Sequence, residues 1–181
     1  SIAAGELEKE TGFLKQIIES QKNKLDFIPA IQPLYNPNIS IPVYGFGSLI
    51  DPIYKTPAFH KGIDFAAPQG TPIFATADGR VSFSGQKRAK GLMVEIDHGN
   101  GYVTQYAHMS TTKVRAYTTV KRGDLIGYVG NTGKSFIEHL HYEIQFEGAA
   151  INPVNYFFLD LSIEQYSQML EEVMKAGISL D

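Results

Sequence analysis

Five histidines are spread along this 181-residue chain, and their neighbours set the chemistry open to them. His139 and His141 stand in the run Glu138-His139-Leu140-His141-Tyr142-Glu143-Ile144. Leu140, Tyr142 and Ile144 alternate there with His139, His141 and Glu143, the period of a strand with one buried face. Both imidazoles then leave the same side, roughly 6.5 Å apart along the strand. At that spacing one can bind a metal while the other stands beside the metal's open position. Glu143 shares their face, where it either orients His141 or stands solvated. A second run, His60-Lys61-Gly62-Ile63-Asp64-Phe65, offers an imidazole and a carboxylate. On a straight strand those two lie about 13 Å apart, too far to share an ion whose bonds are about 2 Å long. A helix would bring them together, but Gly62, Ile63 and nearby Pro68 oppose one. Joint ligation therefore requires a bend at Lys61-Gly62, which glycine permits. His108 closes the run from Tyr102, in which Tyr102, Thr104, Tyr106 and His108 share one face, so its imidazole emerges near a strand end on a polar face. His98 lies in the Gly-rich turn His98-Gly99-Asn100-Gly101 and is read as a hydrogen-bonding turn residue rather than a ligand.

Cysteine is absent, which removes thiolate metal sites and disulfides and leaves His, Asp and Glu as the ligands for a transition metal. Two imidazoles and one carboxylate leave zinc one position short of a tetrahedron, and water or substrate fills it. A single carboxylate leaves the ion net positive charge, which draws the pKa of such a water toward neutrality. The remaining imidazoles then have proton transfer and charge stabilisation available to them. There is no H-E-x-x-H helix motif, no G-x-S-x-G elbow and no thiol nucleophile. A purely structural zinc site would instead need four protein ligands.

The elements that must position these groups follow from the pattern of apolar residues, Gly and Pro. Residues 63–66, 72–75, 79–84, 92–97, 102–109, 125–129 and 139–146 read as short strands between explicit turns. No helical period interrupts them, so the core is expected to be an antiparallel β-sheet in a mainly β fold, occupying 45–158. Before it, Pro29, Pro33, Pro37 and Pro42 make 29–44 an extended linker. Residues 1–28 carry a helix over 5–28, with Leu7, Thr11, Leu14, Ile18, Gln21, Leu25 and Ile28 as its seam. It is either docked on its own domain or the end of a coiled coil with a partner helix. After the core, 159–181 form a helical extension. Ser162 and Gln165 make its capping box, Ile163, Tyr166, Leu170 and Val173 its apolar stripe, and Gly177 its stop. A net charge of -3 gives no basic footprint for nucleic acid. No run is long enough to span a bilayer, and the start at Ser1-Ile2-Ala3 reads as an excised or processed fragment, with room for a membrane anchor upstream.

Taken together, these runs resemble the lysostaphin/LytM-type zinc metallopeptidases that cut the peptides of bacterial cell walls. The resemblance is carried by Gly45-Phe46-Gly47 with Asp51-Pro52, His60-Lys61-Gly62-Ile63-Asp64-Phe65-Ala66 and Ala77-Asp78-Gly79. It continues through Asp97-His98-Gly99-Asn100-Gly101-Tyr102, Tyr106-Ala107-His108-Met109-Ser110, His139-Leu140-His141-Tyr142-Glu143 and Asn152-Pro153. It implies a lysostaphin-like β-sheet fold, with His60, Asp64 and His141 as zinc ligands and His108 and His139 as the catalytic pair. It further implies an endopeptidase acting on peptidoglycan stem or cross-bridge peptides outside the cytoplasm. The alternative it leaves is a non-catalytic module that binds cell wall or activates an amidase; modules of that kind have lost ligands, whereas all five positions are kept here. Two runs depart from the family's pattern. Leu49 stands where Arg is frequent, and Ser135-Phe136-Ile137-Glu138 replaces the usual Ser-Thr-Gly-Pro, with a bulkier groove wall and an added carboxylate.

Overall fold

The computed structural model describes residues 12, 15, 16, 19, 20, 24–51, 54–176 and 180. The strands are β1 (Val43–Tyr44), β2 (Gly47–Ile50), β3 (Pro57–His60), β4 (Ile63–Phe65), β5 (Pro72–Phe74) and β6 (Gly79–Lys87). They continue as β7 (Gly91–Gly99), β8 (Tyr102–Thr112), β9 (Thr119–Val120), β10 (Leu125–Val129), β11 (Leu140–Phe146) and β12 (Ala149–Ile151). A 3-10 turn (Pro153–Tyr156) and one helix, α1 (Ile163–Ala176), follow. The main sheet runs β1-β4-β11-β8-β7-β6-β9, with β12 paired to β11 and β10 paired to both β5 and β8. Every one of these pairings is antiparallel, as the short Gly-rich connections expected. β2 and β3 form a separate hairpin. All seven strands read from the sequence are present; β1, β2, β3, β9 and β12, each four residues or shorter, were not foreseen.

β11 is the strand on which the site is built. One edge pairs with β8, and the other pairs with β4 along its first half and β12 along its second. Leu140, Tyr142 and Ile144 enter the core with Phe65, Tyr106 and Phe157. The expected single buried face is corrected here, because His139, His141 and Glu143 on the opposite face are also buried. The β2–β3 hairpin, the turn carrying Lys90 and the loop carrying Lys134 stand over that face and leave only a cavity. A polar layer sealed in this way must satisfy its own hydrogen bonds.

The ends of the chain are partly described. Helical residues at 12, 15, 16, 19, 20 and 24–26 fall within the expected N-terminal helix, while seam positions Leu7, Thr11, Leu14, Ile18 and Gln21 lie outside the described residues. Its end is tied down: Arg122 donates to the carbonyl oxygens of Leu25 and Ile28, and Asp78 N–H to Asp26 O at 2.7 Å. The Pro-rich segment runs along the core, into which it inserts Leu34 and Ile39. The capping box forms reciprocally, with Gln165 N–H to Ser162 Oγ at 3.2 Å and Ser162 N–H to Gln165 Oε1 at 2.8 Å. The stripe of α1 is corrected in one place. Ile163, in the first turn, is 82% exposed, and Met169 takes the buried position beside Leu170 and Val173. Gly177 lies outside the described residues. Among the described residues no helix is long and apolar enough to cross a membrane.

Candidate metal centre

His141 on β11 lies directly opposite Asp64 on β4. Residues so paired point to the same face with neighbouring Cβ atoms, which is why their side chains meet. His60 arrives from another sheet altogether. It ends β3, the chain turns at Lys61-Gly62, and β4 begins at Ile63. The bend required by the sequence is present, and its reason is space: a Cβ on Gly62 would sit 2.3 Å from Tyr142 O and 2.9 Å from Glu143 Cγ. Only a residue without a side chain lets this turn pass so close to β11.

The three groups converge tightly. His60 Nε2 is 3.1 Å from Asp64 Oδ1 and 3.1 Å from His141 Nδ1, and His141 Nδ1 is 2.8 Å from Asp64 Oδ1. For metal bonds of about 2.0–2.1 Å, the edge of a tetrahedron is roughly 3.3 Å, so the spacing matches three corners of one. The outer contacts set the ring tautomers. His60 Nδ1–H donates to Gly45 O at 2.6 Å, and His141 Nε2–H to Glu143 Oε1 at 2.9 Å. With those protons placed, both nitrogens that face Asp64 Oδ1 are acceptors. Three acceptors held within 3.1 Å of one another, all buried, could hold a metal ion between them.

Asp64 is held on its other side as well. Leu180 N–H donates to Oδ2 at 2.7 Å across 116 residues of chain, which aims Oδ1 at the two imidazoles. Glu143 binds His141 and Lys90 Nζ, the latter at 2.5 Å, and Lys90 also donates to Gln105 Oε1. Burial pushes the Glu143 carboxyl upward, but the hydrogen bonds from His141 and Lys90 and the Lys90 charge outweigh it and hold the group low. Of the two roles open to Glu143, orienting His141 is the one its geometry supports.

His108 and His139 flank the cluster. Their ring centroids are 4.7 Å apart, and His108 is 6.0 Å from His141. Each has its Nδ1 on backbone oxygen: His108 on Thr132 O at 2.7 Å, His139 on Ile137 O at 2.9 Å with Ser135 Oγ at 3.1 Å. Nε2 of His139 is 3.9 Å from Asp64 Oδ1. The shared face expected for Tyr102, Thr104, Tyr106 and His108 is overturned at its last member. Between Tyr106 and Met109, β8 carries one residue more than the facing segment of β7, and His108 takes φ 61°. This bulge turns the ring from the core face, where Tyr106 lies, to the side of His141. A left-handed conformation costs a non-glycine residue about 1–2 kcal/mol, sustained here by Thr132, which also donates its hydroxyl to Met109 O at 2.8 Å. His108 is likewise not at the strand end, since β8 continues to Thr112.

His98 stays apart from the cluster and hydrogen-bonds as expected, but from strand β7 rather than from the turn that follows it. Its nitrogens contact Asp78 O and Thr104 Oγ1, both at 2.7 Å, and Thr104 leads through Tyr106 and Thr76 to Tyr142. The sequence reading did not anticipate Lys90, Thr132 or Leu180. Lys90 sits in a turn, Thr132 in the loop before β11 and Leu180 beyond the helix, with no periodic signal that could have linked any of them to β11.

The description Peptidase family M23 matches residues 58–153, more than half of the chain. DD-carboxypeptidase/endopeptidase Mpg of Neisseria meningitidis serogroup B is 47% identical over 125 residues, 69% of this chain and 28% of that protein. Murein hydrolase activator NlpD of Escherichia coli K12 is 40% identical over 111 residues, 61% of this chain and 29% of that protein. This chain thus spans little more than a quarter of the length of the curated relatives it matches. Among solved structures, the catalytic domain of the antimicrobial peptidase lysostaphin from Staphylococcus simulans aligns with a TM-score of 0.60 and 27% identity, over 66% of this chain and 93% of that one.

Proposed function

The chain belongs to peptidase family M23, and from that premise we propose that residues 45–158 form a zinc-dependent endopeptidase domain that hydrolyses peptidoglycan stem or cross-bridge peptides. The observation that carries this reading is the convergence of His60 Nε2, Asp64 Oδ1 and His141 Nδ1 within 3.1 Å, flanked by two further oriented imidazoles. Two nitrogens and one carboxylate oxygen are a donor set suited to zinc and leave a coordination position open. Zinc held by these three residues supplies Lewis acidity and lowers the pKa of water at the site.

The chain's own groups do the rest. Nε2 of His108 or His139 accepts the proton of the attacking water, and the other imidazole stabilises negative charge on the substrate oxygen. The carbonyl oxygens of Thr132 and Ile137 accept from each Nδ1–H, a tautomer in which Nε2 is the nitrogen able to take a proton. Glu143 holds His141 and is itself held by Lys90. The murein in the name of Escherichia coli NlpD supports a peptidoglycan substrate and, with it, a site of action outside the cytoplasm.

A second reading, a non-catalytic activator of a cell-wall hydrolase, has support from the similarity to NlpD. The retained donor set favours catalysis. Mass spectrometry of fragments released from purified peptidoglycan by the zinc-loaded protein tests both readings: a peptidase liberates peptides unaided, and an activator releases none until an amidase is added.

A further inference from the structure

The chain as a whole is acidic, with a net charge of -3, yet the groove beside the histidine cluster is not. A cavity of about 220 Å³ is lined by His60, His108 and His141 together with Lys61, Lys90 and Lys134. Its one carboxylate is Glu143, already engaged by His141 and Lys90. Lys90 and Glu143 neutralise each other, which leaves Lys61 and Lys134 as the charge the groove offers to a ligand. Both are exposed, and among the described residues neither makes an ion pair. They come from separate parts of the fold: Lys61 from the bend between β3 and β4, Lys134 from the loop before β11. The Lys134 backbone is fixed by its N–H to Ala89 O at 2.8 Å, beside the turn that carries Lys90.

Resting on the endopeptidase reading above, we propose that this groove selects peptides with a free carboxylate close to the bond that is cut, and that Lys61 and Lys134 are the residues that bind it. Two ammonium groups set in a concave, partly apolar site concentrate field lines and favour an anionic ligand over its neutral isostere. Phe59 lines the same cavity and is about half exposed, an apolar surface for the carbon chain that bears the carboxylate. Lysine is a flexible point charge rather than a planar fork, so one carboxylate can be met by both side chains without bidentate geometry.

The test uses the full chain stripped of metal by chelation, in which binding is read without cleavage. Fluorescence anisotropy compares a labelled synthetic stem peptide ending in a free carboxylate with the same peptide ending in a carboxamide. Wild type is expected to bind the carboxylate form roughly tenfold more tightly. Lys61→Gln and Lys134→Gln each weaken it roughly fivefold, and neither changes binding of the carboxamide. Lys175→Gln, on an exposed turn of α1, controls for net charge and leaves both affinities as they were. Equal binding of the two peptides, binding of neither, or equal losses for both in the lysine variants overturns the proposal. Digestion of peptidoglycan by the zinc-loaded protein is scored separately: carboxylate-selective binding without any cleavage would contradict the endopeptidase reading and leave the lysine assignment standing.

Discussion

Glu143 accepts the Nε2–H of His141 at 2.9 Å from two residues along the same strand, and so decides which nitrogen of that imidazole faces Asp64. The contact joins the candidate metal centre to Lys90 and, through Gln105, to Glu95 on β7. Substituting Glu143→Ala removes the acceptor and frees the ring to rotate. Zinc affinity is expected to fall by about 10–100-fold, measured by competition with a chromophoric chelator. Glu143→Gln retains an acceptor oxygen and should lose less.

A similar argument applies to Leu180, whose backbone N–H holds Asp64 Oδ2 at 2.7 Å. Leu180→Pro deletes that donor and nothing else of the hydrogen-bonding inventory. The expected result is roughly tenfold weaker zinc binding with an unchanged far-UV circular dichroism spectrum.

Gly62 tests the bend. A Cβ there would lie 2.3 Å from the backbone oxygen of Tyr142, which is fixed in the centre of the sheet and cannot give way. Gly62→Ala is expected to destabilise the domain by roughly 3 kcal/mol, seen as a lowered urea midpoint, and to separate His60 from Asp64.

The buried polar chain that starts at His98 sets an acid limit on stability. Burial, opposed only in part by the hydrogen bond to Asp78 O, lowers the imidazole from 6.5 to about 4. The unfolded chain therefore binds a proton between those values that the native state refuses, and stability falls as pH drops through this window. The loss is on the order of 3 kcal/mol. It is complete near pH 4, and the stabilisation is fully present above pH 6.5. Urea unfolding at a series of pH values, for wild type and His98→Gln, checks this: the variant should show a shallower slope across the window.

Much of this arrangement was legible before any coordinates, and the exceptions have physical causes. Alternation from His139 to Ile144 located β11, and the distance from His60 to Asp64 demanded a bend that is present. Burial of the polar face of β11 was not legible, because the β2–β3 hairpin and the turn carrying Lys90 that help cover it come from far along the chain. The turning of His108 toward the cluster escaped a period-two reading because a bulge breaks the period, and nothing local in Tyr106-Ala107-His108-Met109 marks it. Short strands such as β1 and β9 carry too few residues to show any period. Lys90 reaches Glu143 across 53 residues, a pairing that only strand register reveals.

Zinc content decides the central claim most directly. Wild type, His141→Ala and His108→Ala are purified, exposed to zinc, dialysed and analysed for metal by mass spectrometry, and the same samples are assayed for release of peptides from peptidoglycan. The expected result is one zinc per chain in wild type, none in His141→Ala, and one in His108→Ala with cleavage reduced by several orders of magnitude. Zinc retained by His141→Ala, or lost from His108→Ala, would contradict the assignment of His60, Asp64 and His141 as the metal-holding set.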